Sequence, residues 1–142
     1  MKTLLLFGMA FFAIILSASA QCGKKINWIA AGFDMVDSAG NISKTKTASV
    51  LVEQTSESIR FSYDGDPNSV MEGAIQNHVC NWKEPYKSGK WTFSADMVDP
   101  RGESKHAKFV IEATDGKIVI TGAADERPNQ ILRIKVDRYE EK

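Results

Sequence analysis

The sequence predicts an all-β domain in which eight antiparallel strands form two sets of four, arranged as an up-and-down barrel. Two observations lead to this prediction. Residues 34–40 read Asp-Met-Val-Asp-Ser-Ala-Gly and residues 96–102 read Asp-Met-Val-Asp-Pro-Arg-Gly, so five of seven positions are identical. Apolar and polar residues also alternate with a period of two through most of the chain, which is typical of half-buried antiparallel strands. An internal duplication constrains the architecture before any single motif does.

The repetition continues through the strands that follow. Residues 50–55 align with residues 109–114 at an offset of 59, and Pro67-Asn68 aligns with Pro128-Asn129 at an offset of 61. Such a drift in offset is what insertions and deletions in the loops between equivalent strands produce. We therefore expect a single β domain over residues 21–142. It would consist of two repeats, at about residues 26–79 and 90–139, joined by residues 80–89.

Each strand is predicted from its alternation. The residues predicted to point inward from the first strands are Ile29, Ala31, Phe33 and Met35 in one half and Trp91, Phe93, Ala95 and Met97 in the other. The second strands are predicted over residues 48–54 and 106–113, and the third over residues 58–63 and 117–121. The fourth strands are predicted over residues 70–79 and 130–138.

Turn signals separate these strands. Asp37 to Asn41 and Asp99 to Glu103 are turn clusters, and Asp115-Gly116 is a strong hairpin signal. Short connections favour a meander. Because a four-stranded unit of this size has one apolar face, the two halves must cover each other, as a barrel or as a two-sheet β-sandwich. The barrel is the preferred prediction because closure removes exposed strand edges, and eight strands can enclose one small ligand.

The first twenty residues are predicted to be a cleaved signal peptide. Lys2 provides a positive start, residues 4–16 are apolar, and Ala18-Ser19-Ala20 is a small-x-small cleavage pattern. Cleavage after this tripeptide would make the mature chain a secreted or periplasmic protein. A lipoprotein attached through Cys22 is the alternative. Gln21 argues against it, because a lipoprotein signal has a small residue before the cysteine.

Cys22 and Cys80 are predicted to form a disulfide. They are the two cysteines of the sequence, and an oxidising compartment favours their pairing. Each lies just upstream of one repeat, so a bridge would tie the N-terminus to the joint between the halves. A reactive or metal-binding thiol is the alternative, for which His78 is the neighbouring ligand.

In its plan, the predicted secreted eight-stranded meander resembles the small barrels of the lipocalin and calycin type. The Gly-x-Trp signature of lipocalins is not present at Trp28, which follows Ile26-Asn27. The resemblance therefore concerns architecture alone, and it assigns no residue a role.

Composition and motifs argue against several classes of function. The chain has 18 Lys+Arg and 18 Asp+Glu without a basic run, so the charge pattern of a nucleic-acid-binding protein is absent. After residue 20, no apolar stretch has the length of a membrane span. With two histidines and none of the common nucleophile, phosphate-loop or zinc-protease motifs, the sequence predicts a non-catalytic protein that needs no cofactor. We expect a monomer.

The duplicated aspartates Asp34, Asp37, Asp96 and Asp99 raise the question of calcium binding. Turn chemistry is the preferred explanation for Asp37 and Asp99, because an aspartate at the first position of a turn accepts hydrogen bonds from backbone amides. Asp34 and Asp96 are expected on the solvent face. Calcium is the weaker alternative, since each loop offers few carboxylates for a cation that takes six to eight oxygen ligands.

The leading hypothesis is a binding module that holds a small apolar or amphipathic ligand between its two halves. Small residues in the first half, Ala31 and Gly73, could leave a pocket, although close packing could equally fill it. The predicted lining consists of Ile29, Phe33, Val50, Val52, Phe61, Tyr63, Met71 and Ile75, with Trp82 and Tyr86 gating the mouth.

The alternative hypothesis is a protein-interaction module, for example a secreted inhibitor or an envelope accessory protein. Residues 81–91, between the repeats, contain two tryptophans, one tyrosine and three lysines. If exposed, these aromatic residues would suit a protein partner, because Trp and Tyr dominate interface hot spots. If buried, they would form a belt across the joint, with Trp91 in the core.

Overall fold

The computed structural model describes residues 22–142, so the predicted signal peptide lies outside the described residues. The described chain is almost entirely β, apart from a short 3-10 turn at Pro67–Ser69. Its strands are β1 (Ile26–Val36), β2 (Ile42–Gln54), β3 (Ser58–Tyr63), β4 (Met71–Glu84), β5 (Ser88–Val98), β6 (Ser104–Thr114), β7 (Lys117–Ala124), β8 (Ile131–Lys135) and β9 (Arg138–Glu141).

The strands form one closed antiparallel barrel. From β2 to β8, each strand pairs with its neighbours in sequence. β1 closes the barrel because it pairs with β2 along one edge and with β8 and β9 along the other. The predicted lipocalin-like, up-and-down barrel is therefore confirmed, and the sandwich alternative is wrong. The predicted eighth strand is divided into β8 and the additional short strand β9.

The first strand reverses its inward face partway along its length. Trp28 and Ala30 are buried, whereas Ala31 is exposed, so the prediction that Ile29 and Ala31 point inward is wrong. The cause is a register shift in the pairing of β1 with β2, which follows Ala30. Beyond the shift, Phe33 packs against the core as predicted. Alternation therefore holds on each side of an irregularity that the sequence pattern does not reveal.

Contacts on both edges of β1 hold this irregularity in place. On the β2 edge, the backbones approach so closely that a Cβ at Gly32 would collide with the carbonyl oxygen of Lys46. On the other edge, the N–H of Ala31 donates to Asp137 Oδ2 at 2.8 Å. The N–H of Asp137 donates to the carbonyl of Ile29 at 2.9 Å. The Asp137 carboxylate thus accepts the hydrogen bond that a backbone carbonyl of a paired strand would otherwise accept, at the gap between β8 and β9.

The alternation of the remaining strands predicts most of the residues that face the interior of the barrel. The inward residues of β5 are all buried, namely Trp91, Phe93, Ala95 and Met97. The second and third strands of both halves bury Val50, Val52, Ile59, Phe61, Phe109, Ile111, Ile118 and Ile120. The ring of Phe109 lies between those of Phe61 and Phe93, with centroid separations of 5.4 and 5.3 Å. We refer to these three rings as the Phe stack.

The joint between the two halves is a hairpin. The sequence predicts a fourth strand that ends at residue 79, whereas β4 continues to Glu84 and pairs with the start of β5. Cys80 lies opposite Trp91, and Trp82 lies opposite Gly89. Residues 80–89 therefore belong to two paired strands and the turn between them. Strand alternation directs the Trp82 side chain inward, whereas Tyr86 lies in the turn.

The Cys22–Cys80 disulfide is present, with a Cα–Cα distance of 6.0 Å, so its prediction is confirmed. It attaches the segment before β1 to the middle of the long β4 strand, and Cys22 is buried. Within residues 22–142, no helix has the length and apolar character needed to cross a membrane.

Loss of this disulfide is expected to lower the free energy of unfolding by roughly 4 kcal/mol, because the bridge restricts the unfolded chain over a sequence separation of 58 residues. Urea unfolding of the wild type and of a Cys22→Ser/Cys80→Ser double variant measures the difference. A reducing agent should destabilise the wild type by the same amount and leave the double variant unchanged. Equal stability of the two proteins would contradict this prediction.

Candidate functional site

The two ends of the barrel are built differently. The turns after β1, β3, β5 and β7 lie at one end, which we call the open end. The N-terminal segment, the turns after β2, β4 and β6, and the C-terminal strand β9 lie at the other, which we call the closed end. An up-and-down meander places alternate turns at opposite ends, so both repeated Asp-containing turns lie at the open end.

Aromatic side chains fill the closed end. The Tyr86 ring lies 5.7 Å from Trp28, 5.8 Å from Trp82 and 4.9 Å from Tyr139, measured between ring centroids. Trp28 Nε1 donates a hydrogen bond of 2.8 Å to Oε1 of Gln54, which is itself buried. Aromatic pairs at these distances add to the free energy of burial. The cluster therefore closes this end of the barrel, and the nearby disulfide fastens the N-terminal segment to it.

The open end contains an apolar cavity of about 170 Å³ inside the barrel. Both halves contribute to its wall, which is formed by Phe61, Tyr63, Met71, Met97, Lys105, Ala107, Phe109, Gly122, Ala123, Ala124, Gln130 and Leu132. Lys105 and Gln130 lie close to the strand ends, and we call this side the mouth of the cavity. The Phe33 ring packs against Tyr63 with a centroid separation of 5.1 Å.

The floor of the cavity depends on the contact between Phe109 and Gly122. A Cβ atom at Gly122 would lie only 2.5 Å from two carbons of the Phe109 ring, so the ring rests directly on the glycine backbone. The Phe stack holds the ring from both sides. With Gly122, the small residues Ala107 and Ala124 leave the space above the stack empty.

The predicted origin of the pocket differs from the observed one. Gly73, expected to leave space in the first half, lies against the neighbouring strand: a Cβ at that position would lie 2.5 Å from the carbonyl oxygen of Asp96 and 3.0 Å from Sδ of Met97. Ala31 points out of the barrel, as described above. Neither position leaves space, and the small residues of the cavity wall are those of β6 and β7 instead.

The predicted lining residues fall into three groups. Phe61, Tyr63 and Met71 line the cavity, and Phe33 contacts it through Tyr63. Val50, Val52 and Ile75 belong to the packed core or lie against it, and Ile29 lies on the outer face. Trp82 and Tyr86 are each 6% exposed and lie at the closed end, so they do not gate this mouth.

Sequence reasoning missed Lys105 as part of the site. Lys105 has the same strand phase as Ala107 and Phe109, which is the signal that could have identified it. The predicted strand begins at residue 106, so Lys105 falls between it and the turn cluster that ends at Glu103. Alternation also points Met97, Phe109 and Leu132 inward, but it does not separate the core from a cavity wall.

Burial also affects the one phenol of the cavity wall. Removal of the Tyr63 side chain from water raises the pKa of its hydroxyl to about 12, from an ordinary value of 10.0. Tyr63 is therefore protonated throughout the physiological range and presents a neutral, amphipathic ring to the cavity.

The repeated aspartates at the open end perform turn chemistry. Asp37 Oδ1 accepts hydrogen bonds from the backbone N–H groups of Ala39 and Asn41 at 3.0 and 2.8 Å. Asp99 Oδ1 accepts equivalent bonds from Arg101 and Glu103 at 2.9 and 3.0 Å. These bonds confirm the turn prediction. Among residues 22–142, no three His, Cys, Asp or Glu side chains lie close enough together to hold a metal ion.

The other two repeated aspartates form side-chain pairs on the outside of the barrel. Asp34 Oδ1 accepts from Thr45 at 2.8 Å and its Oδ2 accepts from Arg133 at 3.0 Å; these bonds lower the pKa of the carboxyl group. Asp96 lies 2.7 Å from Nδ1 of His106. Neither carboxylate contributes to the cavity.

Comparison of the chain with protein-family models, with curated proteins and with solved structures gives no match. The site is therefore interpreted from its own geometry.

Truncation of the closed-end cluster is expected to destabilise the fold. Trp82→Ala should lower the free energy of unfolding by about 3–5 kcal/mol, because it leaves a cavity among tightly packed rings. Val79→Ala is the matched control on the same strand, since Val79 is 51% exposed and should change stability by no more than about 0.5 kcal/mol. Denaturant unfolding of both variants tests this. Similar small effects in the two would show that Trp82 is not part of the core.

The raised pKa of Tyr63 predicts a loss of stability in alkaline solution. Between about pH 10 and pH 12 the folded state retains a proton that the unfolded state releases, so the stabilising contribution is complete below pH 10 and disappears through pH 12. Urea unfolding at about pH 9 and pH 11 should show a larger loss for the wild type than for Tyr63→Phe. The phenylalanine variant corrects for effects of pH that arise elsewhere in the protein. Equal losses in the two proteins would refute the prediction.

Proposed function

We propose that this protein is a non-catalytic binding module that holds a small apolar or amphipathic ligand in the open-end cavity. The observation that carries the proposal is a largely apolar space of about 170 Å³, shared by both halves of a barrel whose other end is filled with aromatic rings. A ligand would enter from the open end and contact the Phe stack. No side chain of the wall is arranged as a nucleophile with a base, so the site is suited to binding.

The size of the cavity limits the ligand. An apolar cavity of ~150 Å³ can hold one benzene-sized molecule. An aromatic ring buries roughly 150–250 Å². At ~25 cal/mol per Å² this corresponds to about 4–6 kcal/mol of transfer free energy, and the binding free energy is smaller because the ligand loses translational and rotational freedom. The buried portion of the ligand is therefore a single ring or a short branched alkyl group.

The disulfide and the predicted signal peptide support a place of action outside the cytoplasm, in the periplasm or in the medium. Disulfides persist in oxidising compartments, and Cys22–Cys80 is part of the packed structure. The protein-interaction hypothesis ranks second, because it relies on Trp82, Tyr86 and Trp91 as surface anchors. These residues are between 1% and 6% exposed.

Filling the cavity should abolish binding without unfolding the protein. Ala107→Leu places a larger side chain in the cavity, whereas Leu132→Ala enlarges it. Ala74→Leu, on the exposed outer face of β4, is the control for the first substitution. Binding of fluorobenzene, measured by ¹⁹F NMR, should be lost in Ala107→Leu and retained in Ala74→Leu. Leu132→Ala should accept larger rings than the wild type does.

Native mass spectrometry of the gently purified protein adds a test that requires no chosen probe. A reproducible extra mass that is lost on activation, and that is absent from Ala107→Leu, would support the proposal. Failure of the wild type to bind fluorobenzene or any carried ligand would overturn it. Unchanged fluorobenzene binding by Ala107→Leu would place the binding site elsewhere.

A further inference from the structure

We infer that the ligand carries a negatively charged group, in the simplest case a carboxylate, which Lys105 binds at the mouth of the cavity. The inference rests on the proposed function and specifies its ligand class: small amphipathic acids with one ring or short alkyl group. It is carried by the position of Lys105, by the absence of an ion-pair partner for it, and by the polarity of the mouth.

The position of Lys105 follows from strand pairing. In the ladder between β5 and β6, Lys105 lies directly opposite Met97, a buried residue of the cavity wall. Residues directly opposite each other in a ladder extend from the same face of the sheet. Lys105 therefore shares the inner face with Ala107 and Phe109. Its aliphatic stem lies along the apolar wall, and its ammonium group can reach the water at the mouth.

The charge of Lys105 is not balanced by a neighbouring carboxylate. None of the salt bridges among residues 22–142 includes it. All four open-end turns begin with an aspartate, and three of these, Asp37, Asp64 and Asp99, accept hydrogen bonds from backbone amides. The fourth, Asp125, forms no salt bridge with Lys105. A lysine that lines an apolar cavity without a counter-charge attracts an anion more strongly than one already paired on the surface.

Another residue of the mouth can also bind an anion. Gln130 also lines the cavity, and its amide can donate hydrogen bonds to an anionic oxygen. A carboxylate at the mouth would remain partly hydrated while the apolar group enters, which avoids the cost of complete desolvation.

Two probes that differ only in charge test the inference. 3-Phenylpropionate and 3-phenylpropanamide share the same ring and linker, but only the first is an anion near neutral pH. By isothermal titration calorimetry at low ionic strength, the wild type should bind the carboxylate about 3–10-fold more tightly than the amide. Added salt should reduce this preference, because it screens a partly exposed charge pair.

Substitutions on β6 distinguish an effect of Lys105 itself from an effect of the net surface charge. Lys105→Gln should bind both probes with the affinity that the wild type has for the amide, and Lys105→Arg should restore the preference for the carboxylate. Lys108→Gln, which removes an exposed lysine from the same strand, should retain the wild-type preference. Equal wild-type affinities for the two probes, or a preference that survives in Lys105→Gln, would overturn the inference.

The same titrations also test the proposed function separately from the charge of the ligand. If Ala107→Leu abolishes binding of both probes while the wild type binds them equally, the cavity binds ligand but the charge inference is wrong. If the wild type binds neither probe nor fluorobenzene, the proposed function fails, and the charge inference fails with it.

Discussion

Closure of the sheet through β1 is the constraint on which the rest of this structure depends. Each four-stranded half has one apolar face and cannot bury it alone. β1 joins the halves because it pairs with β2 on one edge and with β8 and β9 on the other. Gly32 allows the close backbone approach on one side, and Asp137 supplies the missing acceptor on the other. These two contacts let β1 stay paired on both edges through its irregularity, so that the inner faces meet around a common core.

Closure also gives the barrel two ends that the duplicated sequence treats differently. The hairpin between the halves, with Trp82 and Tyr86, lies at the end that receives Trp28 and Tyr139, so rings accumulate there. At the opposite end, the second half contributes Ala107 and Gly122. The duplication has therefore kept the strand plan and the Asp-containing turns, while the residues that fill the two ends have diverged.

The sequence could predict an antiparallel meander, because strand number, alternation and turn signals depend on local residue order. These signals fit a sandwich as well as a barrel, and the barrel is preferred because closure removes exposed strand edges. The inward face of Trp91 to Met97 was predictable, since β5 pairs regularly along that stretch. The face of Ile29 was not, because the shift after Ala30 arises from contacts with distant strands. The position of the cavity was equally hidden. Whether a small residue leaves space depends on its neighbours on the adjacent strand, as the approach of Asp96 and Met97 to Gly73 demonstrates.

The packing around the cavity explains why a close-packed interior retains an empty space. Side chains normally relax to fill a void, because unfilled space forfeits dispersion contacts. Here the ring best placed to fill it, Phe109, is seated on Gly122 and stacked between Phe61 and Phe93. To enter the cavity, this ring would have to leave both stacking partners and the glycine surface. The open-end cavity is therefore maintained by the stacked contacts of Phe109 with Phe61 and Phe93 and by its seat on Gly122.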